Sequence, residues 1–138
     1  MSPRPAGRVE RCGTEQARTR FAQALAFLDV AELVGAEDDE VATPGTAASL
    51  AVLAAIAASD AVCCVTLGQR SRGQDHRQAI SLLAQVTPDG QAMARDLERL
   101  LAIKDDAHYG LLHVSSQRAT TALRQARRLV DNAAKHMR

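Results

Sequence analysis

Several ionisable side chains stand where helical spacing calls for apolar ones. Asp60 falls in line with Leu50, Leu53, Ala57, Cys64 and Leu67 at steps of three and four, on an otherwise apolar helix face. His76 heads the line of Ile80 and Leu83. Lys104 continues Leu97 and Leu100 or Leu101, with His108 one turn beyond it and Tyr109 next. A carboxylate inside a helical bundle is too costly to leave unpaired. Asp60 is therefore expected to meet Lys104, His76 or Arg72. Two chemistries follow. In one, the set is a buried polar lock that fixes helix register. In the other, His76 or His108 handles protons beside the Lys104 ammonium in a cleft. Asp75 and His76 could share a metal ion, but no third ligand stands at helical spacing, so neither metal nor cofactor is expected.

The elements that must position these residues are all helical. Residues 1–12, with Pro3, Pro5 and Gly7, read as a disordered basic arm, and 13–138 as a single domain. A first helix is expected from Thr14, as N-cap, to about Val34 before Gly35, with Phe21, Leu25 and Leu28 as its stripe and Phe27, Val30 and Val34 widening it. The acidic segment Gly35 to Gly45, containing Pro44, reads as a loop. The second helix, from about Thr46 to Leu67, is apolar nearly all round and belongs at the centre. A third carries Ile80, Leu83 and Val86 and ends before Pro88. A fourth, capped by Asp89, carries Met93, Leu97, Leu100 and Leu101. A fifth follows Ser115 or Ser116 with Ala119, Leu123, Ala126, Val130 and Ala133 inward. The fold class is all-α, a compact bundle of about five helices.

Composition narrows the partners. Aromatic residues make up only 2% of the chain, which removes the stacking platforms that single-stranded bases favour. A net charge of +1 exerts no global pull on nucleic acid or membrane. Basic residues nevertheless cluster at the two ends, with Arg118, Arg124, Arg127, Arg128, Lys135 and Arg138 at the second. Ser49, Ser59, Asp60 and Thr66 interrupt the apolar stretch over 47–67, so a buried central helix fits better than a membrane span. Cys63 and Cys64 are adjacent and cannot bridge each other in ordinary geometry. Together with Cys12 they are expected as reduced thiols in a cytoplasmic protein.

The same residues carry a family likeness. Ala54-Ala-Ile-Ala-Ala-Ser-Asp60-Ala, then Gly73-Gln-Asp75-His76 with Ala79 and Leu82-Leu83, resembles the HEPN superfamily. So does Leu97 with Leu100-Leu101, followed by Lys104-Asp-Asp-Ala-His108-Tyr109. The likeness runs over roughly residues 45–135 and is strongest to the small actinobacterial HEPN proteins typified by a Streptomyces sequence. It implies a helical bundle, commonly a homodimer, acting on RNA or in toxin–antitoxin and stress-response systems, with a nucleotidyltransferase or another protein as partner. HEPN ribonucleases carry Arg followed after about four to six residues by His, the imidazole assisting 2′-hydroxyl attack while a cation stabilises the phosphorane. Here Lys104 precedes His108 by three intervening residues, and Arg72 precedes His76 by the same spacer; both are one short. Lys also lacks the planar fork that Arg offers a phosphate. The resemblance therefore implies RNA association with a degenerate or absent ribonuclease site. The alternative is a non-catalytic helical interaction module, with Asp60, His76 and Lys104 as the lock.

Overall fold

The alanine-rich central segment forms the longest helix of the computed structural model, which describes residues 9–37, 42–72, 76–104 and 113–138. In chain order the elements are β1 (Val9–Arg11), α1 (Thr14–Gly35), α2 (Thr43–Leu67), β2 (Gln69–Ser71), α3 (His76–Ala84), α4 (Gly90–Ala102) and α5 (Ser116–Ala134). The all-α expectation holds, with five described helices and one two-stranded ribbon.

Helix α2 packs against every other described helix, because its surface is built from small side chains. Ala47, Ala48, Ala51, Ala54, Ala55, Ala57, Ala58 and Ala61 are all fully buried. Alanines let helix axes approach closely, and Leu28, Leu83, Met93, Leu97, Leu100 and Leu129 fill the space between them. An 18-residue window of α2 has a mean hydropathy of 2.2, enough to cross a membrane by length and composition, and 67% of that window is buried inside the bundle.

Several boundaries differ from the sequence reading. Helix α2 begins at Thr43 rather than Thr46, because Pro44 sits in the first turn, where its missing N–H costs no hydrogen bond. Gly13, not Thr14, is the N-cap of α1; its N–H donates to Gln16 Oε1 at 2.9 Å. The inner stripe of α1 is Ala17, Ala24, Leu28 and Ala31, whereas Leu25 and Val30 are exposed. The alanine face, which can approach α2 more closely, takes the interior. Asp89 does occupy the N-cap of α4, but with a left-handed backbone, and its carboxylate pairs with Lys135 at 3.4 Å instead of capping. Ser115 caps α5 as expected, accepting from the Arg118 N–H at 3.1 Å. Gly90 is where α4 crosses close to the end of α3: a Cβ there would come within 2.6 Å of the Leu83 carbonyl oxygen.

Within the arm expected to be disordered over residues 1–12, Val9–Arg11 form a strand. Strand β1 runs antiparallel to β2, with Glu10 opposite Arg70. Gly68, at φ +71°, ends α2 in the left-handed conformation and turns the chain back toward it. The Cys12 N–H donates to the Gly68 carbonyl at 3.0 Å. Cys12 is also bonded to Cys64 in a disulfide, which corrects the expectation of three reduced thiols. Cys63 is the free cysteine; burial pushes its thiol up to about 12, with the neighbouring Asp60 adding to the shift, so it is inert at neutral pH.

Candidate functional site

Asp60 sits two turns from the C-terminus of α2 and is 8% exposed. Its partners are not those expected. Oδ2 accepts from Arg20 Nε at 3.0 Å and from Arg70 Nη1 at 3.0 Å, and Arg20 Nη2 lies 2.9 Å away. Arg20 arrives because α1 lies along α2, and Arg70 because the Gly68 turn folds β2 back over the helix end. Lys104, His76 and Arg72 do not bond the carboxylate. Arg20 had a signal in the sequence: it falls on the line Ala17, Ala24, Leu28, Ala31, a cation within an alanine stripe. Arg70 had only its place after a helix-ending glycine.

Asp60, Arg72, His76 and Lys104 nevertheless share one cleft of about 240 Å³. Ile56, Ala79, Leu97 and Leu101 contribute apolar lining; Ser59, Ser71 and Arg70 add polar atoms. Lys104, two residues beyond the end of α4, places Nζ 3.4 Å from His76 Nε2 at the start of α3. That distance is a close approach at the long end of hydrogen bonding. An ammonium donates only to a ring nitrogen that carries a lone pair, so the tautomer of His76 decides whether this contact is a hydrogen bond. Arg72 is mostly exposed and lies 3.6 Å from Glu10, which also accepts from Arg70 Nη2 at 3.2 Å. His108 and Tyr109 lie outside the described residues, as does Asp75. Among the described residues no group of three His, Cys, Asp or Glu is arranged to hold a metal ion.

Comparison with family models, curated proteins and solved structures returned no match. The chemistry of the cleft therefore rests on its own residues. The basic last helix is less available than its sequence implies. Arg127 is held by Glu32, Arg128 by Asp96 and Lys135 by Asp89, at 2.6, 2.6 and 3.4 Å. Arg70, Arg72 and Lys104 bring three cations to one concave surface, two of them already paired with Glu10.

Burial pushes the Asp60 carboxyl above its ordinary value of 3.8, and the two guanidinium groups only partly pull it back. The folded chain then binds this proton more tightly than the unfolded chain does. The stabilisation from its protonation is present below the unfolded value and is lost as pH rises through the folded one. Asp60→Asn removes that dependence. Urea titrations of both proteins between roughly pH 4 and 7 should show wild type losing stability relative to the variant as pH rises. A relative gain would show that the arginines outweigh burial.

Proposed function

We propose that this chain is an RNA-associated helical protein of HEPN type. It holds phosphates of a single strand at the wall formed by Arg72, His76 and Lys104, and its ribonuclease centre is degenerate or absent. The observation that carries this reading is the Lys104–His76 pairing at 3.4 Å, on a cleft also lined by Arg70 and Arg72. Cations converging on a concave surface recognise phosphate, and phosphate contacts dominate affinity for nucleic acid. The apolar lining gives a ribose or base a surface to lie against without demanding aromatic stacking. Cleavage is disfavoured by the same geometry. Where Lys104 donates to Nε2, that lone pair is turned from a 2′-hydroxyl, and Lys offers one point charge where a phosphorane is best met by a planar fork. The setting of this reading is a homodimer within a toxin–antitoxin or stress-response system.

The test is titration of a fluorescently labelled single-stranded RNA over a salt series. Wild type should bind at low salt. Lys104→Ala should weaken binding and flatten the salt slope by about 0.7, the value for one phosphate that the protein no longer neutralises. His76→Ala should weaken binding less, and none of the proteins should cleave. Absence of binding at low salt, or an unchanged slope for Lys104→Ala, would overturn the reading.

The exposed face of α1 favours a second reading, the interaction module. Leu25, Val30 and Leu33 are 40, 47 and 70% exposed on neighbouring turns, apolar surface that a protein partner could cover. That reading is preferred if RNA titrations are flat while the chain associates in a concentration-dependent way that Leu33→Asp abolishes.

A further inference from the structure

Glu10 reaches two arginines of the cleft from the neighbouring groove that it lines. Oε1 lies 3.2 Å from Arg70 Nη2 and Oε2 lies 3.6 Å from Arg72 Nε, so one carboxylate spans the two arginines that line the cleft. It occupies the position relative to those guanidinium groups that a phosphate would take. The element carrying it is weak. β1 has three residues and pairs only with three-residue β2, and an isolated two-stranded ribbon is marginal in water. Two residues from Glu10, Cys12 is covalently bound to Cys64 of the rigid central helix. Both cysteines line a separate open groove of about 400 Å³, together with Glu10, Thr19, Arg20 and Arg70; Cys64 is buried, so a small thiol would attack from the Cys12 side.

We propose that Glu10 is a tethered counter-ion that competes with phosphate for Arg70 and Arg72, and that the Cys12–Cys64 bond controls its release. The inference rests on the phosphate-binding reading of the cleft. Opening follows thiol–disulfide exchange with a dithiol reductant. One reductant thiolate attacks a sulfur of the bond; the S–S bond breaks and a mixed disulfide forms. The second reductant thiolate then displaces the protein sulfur. Two electrons and two protons end on Cys12 and Cys64 as thiols, and the reductant leaves as its own disulfide. Without the bond, Val9–Arg11 is held by the ribbon, the neighbouring Cys12–Gly68 hydrogen bond and the part-exposed ion pairs of Glu10, none of them covalent. Glu10 moves away, and the two arginines meet the ligand with one negative charge fewer beside them. In a reducing compartment the cleft is open to anions; oxidation closes it.

The experiment compares labelled single-stranded RNA binding to oxidised wild type, dithiol-reduced wild type, and Glu10→Gln in both its oxidised and its dithiol-reduced form. Hydrogen exchange of Val9–Arg11 and Gln69–Ser71 is followed alongside. Glu10→Gln should bind several-fold tighter than wild type with its disulfide intact. Reduction should produce a similar gain in wild type, none in Glu10→Gln, and loss of protection in both strands. Equal affinity across all forms, or unchanged exchange on reduction, would overturn the inference while leaving RNA binding intact. Absence of binding in every form would remove the phosphate reading and this inference with it. Loss of helical circular dichroism on reduction would also overturn it, since the bond would then hold the whole fold and not one strand.

Discussion

Arg128→Ala is expected to destabilise the fold by about 3–5 kcal/mol, a large share of the stability of a small domain. Its partner Asp96 lies on the inner side of α4, 2% exposed, among Met93, Leu97 and Leu100. The carboxylate accepts from Arg128 Nε at 2.9 Å and Nη2 at 2.6 Å, a two-pronged pair that ties α4 to α5. Arg99 Nη1, at 3.9 Å, is too far to replace those bonds. Truncating Arg128 therefore strands a buried charge. The reverse change costs less: the Arg128 side chain is 52% exposed, so Asp96→Ala lets its guanidinium return to water at a cost of about 1–2 kcal/mol. Urea melts of both single variants and of Asp96→Leu with Arg128→Leu complete the test. The double variant should recover most of the loss, because no carboxylate is then left buried without its partner. A double variant no more stable than Arg128→Ala would show that the stranded carboxylate is not the source of the loss.

Removing the disulfide is the second large effect. Cys12 and Cys64 are 52 residues apart in sequence, and a loop of that length lowers the entropy of the unfolded chain enough to stabilise the fold by about 4 kcal/mol. The loop encloses α1 and most of α2, the pair with the most extensive packing among the described elements. Those helices retain their alanine interface without the bond, so the chain should stay folded with a reduced margin. Cys12→Ala with Cys64→Ala should lower the urea midpoint, and added dithiol should lower wild type to the same value while leaving the double variant unchanged. Cys63→Ala should leave the midpoint sensitive to dithiol as in wild type, because its buried thiol is not part of the bond. If wild type shows no response to dithiol, the bond contributes nothing to stability.

The site was legible in outline. Helical spacing alone set Asp60 on an apolar face and aligned it with His76 and Lys104 toward one interior, and the structure places these three, with Arg72, around a single cleft. The pairing within the cleft was not legible. Spacing along a helix tells which face a residue is on, not which neighbour packs there, and the Asp60 carboxylate is bonded by Arg20 and Arg70 from elements whose approach depends on the whole bundle. Asp96 went unremarked for a related reason. In a helix rich in charge it looks like one more solvated residue until α5 covers it.

Helix content and the central place of α2 were determined by the chain itself, because apolar periodicity and helix-ending glycines act within a few residues and need no partner. Tertiary structure alone decided what joins distant segments: the strand at Val9–Arg11, its disulfide to Cys64, and the arginines that meet Asp60. Three-residue strands have too little pattern to be seen. A cysteine's partner, like a carboxylate's, is chosen by proximity in the folded chain, which local sequence does not encode.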